Sequence, residues 1–179
     1  MGRCIALLSQ AIERCGVHPN YVMSLNDLDA DGSTESVAVI TPGLRVGIGD
    51  VSGVLSFRTD GALHLETRET NGPYEWAEIS VTLKGDGWRD CRRIYVQATA
   101  SSNIPVEIVP AVRLFTSDKF HDLFATTPLA VTSEKTTSGC VFELSPNRMA
   151  NIERVDLQLF LSSDEHSLTL FDLSAAGTR

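Results

Sequence analysis

Four acidic side chains crowd one short stretch. Asp27, Asp29 and Asp31 alternate, Gly32 permits a sharp turn, and Glu35 follows. Carboxylates spaced this way can converge on one hard cation as the backbone wraps it, and Ca²⁺ takes roughly six to eight oxygens. The same residues also suit a solvated acidic turn, where Asp and Gly serve turn chemistry alone. On the sequence both readings stand: Asp27, Asp29, Asp31 and Glu35 are candidate metal ligands and calcium is the candidate ion.

Elsewhere the reactive residue types are scattered. The four histidines (His18, His64, His121, His166) show no paired spacing of a metal site. No Gly-x-Ser-x-Gly marks a serine nucleophile. The four cysteines (Cys4, Cys15, Cys91, Cys140) are too far apart for a zinc ribbon and read as free, partly buried thiols. Gly47, Gly49 and Gly53 do not have the spacing of a dinucleotide-binding fingerprint, and a strand rather than a helix follows them. Carboxylates for general acid–base work can be nominated anywhere in so acidic a chain, so they single out no reaction. The acidic stretch is similar to the Asp-x-Asp-x-Asp-Gly calcium loops of EF-hands and dockerins. It departs from the EF-hand pattern at Ala38, the twelfth position, where a bidentate glutamate is needed.

The bulk numbers bound the class. At 179 residues, with 42% hydrophobic content, the chain can build one domain with its own core. A net charge of −8 argues against nucleic acid and against anionic membrane surfaces. No apolar run reaches the ~18 residues of a membrane span. The N-terminal apolar run is broken by Ser9, Gln10, Glu13 and Arg14 and does not read as a signal peptide.

Period-two alternation dominates the rest of the chain, which predicts β-strands. Ile94, Val96, Ala98 and Ala100 share one face of a strand; Arg93, Tyr95, Gln97 and Thr99 share the other. After the polar turn at 101–105, Val106, Ile108, Val112 and Leu114 resume an apolar face. These two runs predict an antiparallel hairpin in which Ala100 meets Val106, placing Tyr95 opposite Ala111. Asp60-Gly61, between Leu55/Phe57 and Leu63/Leu65, predicts another hairpin. Ala77, Ile79, Val81 and Leu83 form an inward face, with Tyr74, Trp76, Glu78, Ser80 and Thr82 opposite. Ser117 to Phe124 predicts a short helical turn capped by Ser117. Val155, Leu157, Leu159 and Leu161 alternate with Asp156, Gln158 and Phe160. At the N-terminus, apolar residues at Cys4, Ile5, Leu8, Ile12 and Cys15 predict a short helix.

Nine or ten short strands with frequent turns predict a β-sandwich. From Tyr74 to Leu173 the order of strands resembles a jelly-roll carbohydrate-binding module of the galactose-binding-like type. An aromatic-led strand (Trp76 to Leu83) precedes Tyr95 to Ser102, then Val106 to Phe115, a long excursion, and a closing pair. The resemblance implies a glycan partner, and a structural calcium where the acidic loop coincides with the family's metal site. Sugar recognition needs an aromatic platform and planar polar groups for hydroxyls. On the predicted hairpin, Tyr95, Gln97, Glu107 and Arg113 line one face, and Trp76 and Glu78 join it if their strand lies alongside. The alternative is that the aromatics are packing residues and that Glu107 and Arg113 form a solvated ion pair of little energy.

The expected fold is therefore all-β, an antiparallel two-sheet jelly-roll sandwich with a short N-terminal helix: residues 1–20 helical, 21–175 the sandwich. The expected function is a non-catalytic carbohydrate-binding domain, calcium-stabilised and part of a larger glycan-active protein. The alternatives are a structural domain that forms homo-oligomers and a small enzyme on a β-sandwich scaffold.

Overall fold

The structure, a computed structural model, describes residues 20–23, 25, 28–49, 52–70, 72–145, 149, 151–162 and 165–179. The predicted helix over 4–15 and the candidate ligand Asp27 lie outside these residues.

Among the described residues, alternation has produced fourteen strands: β1 (Asn20–Val22), β2 (Asp31–Thr34), β3 (Val37–Thr41), β4 (Leu44–Gly49), β5 (Gly53–Thr59), β6 (Leu63–Glu69), β7 (Trp76–Leu83), β8 (Arg93–Ser102), β9 (Val106–Phe115), β10 (Phe120–Phe124), β11 (Leu129–Val131), β12 (Thr136–Glu143), β13 (Arg154–Leu161) and β14 (Ser167–Thr178). They pair antiparallel in two seven-stranded sheets. The first runs β12-β8-β14-β6-β5-β2, with β1 added along β14; the second runs β10-β9-β13-β7-β4-β3, with β11 added along β9.

The core lies between the sheets. Ala77, Ile79, Val81 and Leu83 of β7, and Val155, Leu157, Leu159 and Leu161 of β13, are buried in it, as their alternation predicts. Each such leucine or isoleucine contributes ~1.5–3 kcal/mol by leaving water. Trp88, in a 3₁₀ turn after β7, is also fully buried, and its indole N–H donates to the Lys84 carbonyl at 3.0 Å. The Asp60-Gly61 hairpin forms as predicted, pairing Thr59 with Leu63 across a Gly61 with φ of 86°.

Three expectations are corrected. β8 and β9 do not form a hairpin. β8 pairs with β12 and β14 in the first sheet, whereas β9 pairs with β10, β11 and β13 in the second. Residues 103–105 cross between the sheets. Asn103 anchors that crossing by donating its backbone N–H to the Ser167 carbonyl at 3.0 Å and accepting the Ser167 N–H on its side chain at 2.7 Å. The helical turn expected at 117–124 is instead strand β10. Lys119 closes a tight turn by accepting the Thr116 N–H at 2.9 Å, and Phe120 to Phe124 then pair back along β9. Tyr74 precedes β7 and is buried rather than outward-facing, with its hydroxyl donating to the Ser162 carbonyl.

Candidate functional site

The outer face of the second sheet carries side chains unlike those of an inert solvent face. Cross-strand register sets Phe124, Ala111, Gln158, Ser80, Arg45 and Val39 in one row from β10 to β3. On one side runs the row Asp122, Arg113, Asp156, Thr82. On the other runs Val109, Phe160, Glu78, Gly47, Val37. Trp76 stands two residues before Glu78, opposite Gly49.

The centre of this face is polar, and its polar groups are buried. Asp156 and Gln158 have 0% exposure and Ser80 has 1%, although all three point away from the core. Arg45 donates from Nη2 to Asp156 Oδ2 at 3.0 Å and to Ser80 Oγ at 2.9 Å. Gln158 donates from Nε2 to the same Ser80 oxygen at 3.0 Å. Arg154 Nε lies 3.1 Å from Asp156 Oδ1. Arg113 makes a two-pronged pair with Asp122, both contacts at 2.7 Å. Two buried acceptors receive no hydrogen bond: Gln158 Oε1 and Asp156 Oδ1, the latter held by its ion pair with Arg154 alone.

Electrostatics follow from that burial. It pushes the Asp156 carboxyl above its ordinary range, against the pull of Arg154, a Thr82 hydrogen bond, Arg45 and Arg113. The two guanidiniums at 3.0 and 3.1 Å favour its charged form. Glu78 is also pushed up by burial, which outweighs Arg113 and Arg45. Its carboxylate makes no hydrogen bond or ion pair among the described residues.

Aromatic rings rim these polar groups. Phe124 and Phe160 pair with ring centres 5.7 Å apart, and Phe124 is 58% exposed. Phe115 and Phe120 pair at 5.9 Å, with Arg154 3.7 Å from the Phe115 ring centre and Arg113 4.5 Å from that of Phe120. Trp76 is half-buried and lies over Gly49, where any β-carbon would overlap its indole.

Of the six residues expected to share a binding face, the structure brings four to this side of the sandwich. Trp76, Glu78 and Arg113 lie on the face just described, and exposed Glu107 lies at its β11 end. Tyr95 and Gln97 lie on β8, on the outer face of the other sheet. There Tyr95 sits between Val141 and Ala176, and Gln97 between Gly139 and Ser174. Sequence reasoning passed over Arg45, Ser80, Asp156, Gln158, Phe124 and Phe160. The available signal was the pair of polar residues interrupting the leucine-rich alternation of β13.

The acidic stretch has a different setting. Asp29, Asp31 and Glu35 are exposed; Asp31 opens β2 opposite Arg58, and Glu35 lies in the turn before β3. Thr59 holds the approach to β2 by accepting the Ala30 N–H at 2.8 Å and donating to the Leu28 carbonyl at 2.9 Å. Among the described residues, no three His, Cys, Asp or Glu side chains gather as a metal would require. Cys91 and Cys140 are free, and burial pushes the Cys140 thiol up to about 11, away from thiolate chemistry.

No family model and no curated protein matches the chain. Solved structures do. The chain is similar to the CBM22-1 xylan-binding domain of Xyn10C from Paenibacillus barcinonensis, with a TM-score of 0.51 and 12% identity over 89% of this chain and 94% of that one. It is also similar to the family 30 carbohydrate-binding module of a cellulosomal cellulase from Clostridium thermocellum, with a TM-score of 0.50 and 11% identity over 89% of this chain and 98% of that one. The fold is a jelly-roll sandwich of the kind these modules adopt. At such identity the likeness concerns the fold alone.

Proposed function

We propose that the protein is a non-catalytic carbohydrate-binding domain and that the outer face of its second sheet is the binding surface. One observation carries the reading: half-buried or exposed aromatic rings (Trp76, Phe160, Phe124) share a single face with Glu78, a half-buried carboxylate that makes no hydrogen bond or ion pair among the described residues. Rings stack on the apolar face of a pyranose, while carboxylate and amide groups take its hydroxyls. The xylan-binding domain and the cellulase module named above lend the same reading support through their fold. A place within a larger glycan-active protein, and calcium at Asp27, Asp29, Asp31 and Glu35, extend this proposal.

The test is affinity electrophoresis and titration calorimetry against a panel of unsubstituted plant and bacterial polysaccharides. At least one should bind, and Trp76→Ala and Phe124→Ala should each weaken it about tenfold, roughly 1.4 kcal/mol. A folded protein that binds nothing in the panel, or binds equally well without both rings, would overturn the reading.

A further inference from the structure

The donors and acceptors of the binding face are not balanced. Each guanidinium on it is committed: Arg45 to Asp156 and Ser80, Arg113 to Asp122, and Arg154 to Asp156 and the Phe115 ring. The Gln158 amide N–H reaches Ser80. What a ligand can reach is the acceptor capacity of the half-buried Glu78 carboxylate, since the unbonded Gln158 Oε1 and Asp156 Oδ1 are both closed off beneath the face. A half-buried carboxylate without donors is costly, and a ligand that supplies them recovers that cost.

The surroundings of Glu78 show what kind of donor fits. Its cross-strand neighbour on β4 is Gly47, and on β13 it is the Phe160 ring. Trp76 projects from the same face two residues earlier, with its indole reaching Gly47. The charged groups that act on Glu78 are Arg45 on β4, Arg113 on β9, Asp122 on β10 and Asp156 on β13. The three guanidiniums of the face (Arg45, Arg113, Arg154) stand against four carboxylates: Asp122, Asp156, Glu78 and, at the β11 end, Glu107. An anionic ligand would meet that excess of carboxylate, whereas a neutral polyol supplies hydroxyl donors to Glu78 without adding charge.

Resting on the carbohydrate-binding reading, we propose that the Glu78 carboxylate is the specificity-determining acceptor of this face. It takes two adjacent free hydroxyls of a sugar ring stacked on Trp76. The ligand is then a neutral glycan with an unsubstituted vicinal diol at that position, and O-acetyl or O-methyl groups there abolish the donors. Burial holds the Glu78 carboxyl above its ordinary range, so acidification removes the acceptor before most surface carboxylates titrate.

The experiment compares one polysaccharide backbone with and without O-acetyl groups, across pH, for the wild type, Glu78→Gln and the remote control Glu134→Gln. The wild type should bind the deacetylated form at least about tenfold more tightly, as loss of hydrogen bonds to a charged group requires. Its affinity should fall as pH drops through the Glu78 titration. Glu78→Gln should weaken binding about tenfold or more and flatten both the pH profile and the acetyl discrimination, while remaining folded by circular dichroism. Glu134→Gln should match the wild type. Equal affinity for the two forms, or wild-type affinity and pH profile in Glu78→Gln, overturns this inference and leaves the carbohydrate reading standing. Failure to bind any unsubstituted glycan overturns both.

Discussion

The indole of Trp76 lies across the bare backbone of Gly49, its cross-strand partner on β4. A β-carbon at Gly49 would occupy the space of the ring itself. The absent side chain therefore sets how the aromatic platform lies. Gly49→Ala should lift the indole off the sheet, with an overpacking cost of roughly 1–3 kcal/mol. The chain has two tryptophans, and Trp88 is fully buried, so a red shift in emission reports on Trp76. Glycan affinity should fall with that shift. Unchanged emission and affinity would show that the ring does not depend on Gly49.

The pH dependence of stability has a definite sign. Glu78, Asp156 and Asp172 are all raised, chiefly by burial. For an acid whose folded value is raised, the folded state binds more protons. That stabilisation is full below the unfolded value and is lost as pH rises through the folded one. The unfolding midpoint should therefore decline as pH rises across the interval just above the ordinary carboxylate range. Glu78→Gln cannot ionise, so it should flatten part of that slope and raise the neutral-pH midpoint, by no more than about 2 °C for a partly exposed group. Asp60 works in the opposite sense, since its hydrogen bond to His64 lowers it, but its side chain is open to solvent and contributes little. A midpoint that climbs with pH through this interval would contradict the assignment.

Arg113 and Asp122 hold edge strand β10 to β9 by a pair of 2.7 Å contacts, with side chains only 19% and 15% exposed. Because this pair is partly buried and bidentate, it should exceed an open surface ion pair. A double-mutant cycle of Arg113→Ala and Asp122→Ala should give a coupling energy of about 1–3 kcal/mol in chemical denaturation. Additive effects would mean that β10 is held by its backbone pairing and Phe120 alone.

Much of this architecture is legible in the residues themselves, because alternation decides which side chains meet the core. Ile94, Val96, Val112, Leu114, Leu157 and Leu159 are all buried where period two places them. Alternation carries no information about the partner strand. The turn at 101–105 looked local, but its ends belong to different sheets, with Ser102 bonded to Thr132 and Asn103 to Ser167. The error also divided the candidate site. Asp156 and Gln158 fall on the polar side of the β13 alternation, and nothing local shows that they are buried. The calcium expectation still rests on the spacing of Asp27, Asp29, Asp31 and Glu35.

The division of the sandwich into two outer faces yields the sharpest contrast between residues of like type. Tyr95 is 40% exposed on β8, with Gln97 two residues along, and by composition alone they resemble the Trp76–Glu78 pair on β7. Their surroundings differ. Across the strand from Gln97 stand Gly139 and Ser174, and among the described residues no ring pairs with Tyr95. A pyranose stacked on Tyr95 would meet few fixed polar groups, and orienting it would cost entropy that nothing there offsets. Tyr95→Ala and Gln97→Ala should therefore leave glycan affinity within about twofold of wild type, well under 1.4 kcal/mol. Trp76→Ala should lose about tenfold in the same calorimetric series. If Tyr95→Ala instead produced the larger loss, the binding face would belong to the first sheet, and the unpartnered Glu78 carboxylate would need another occupant.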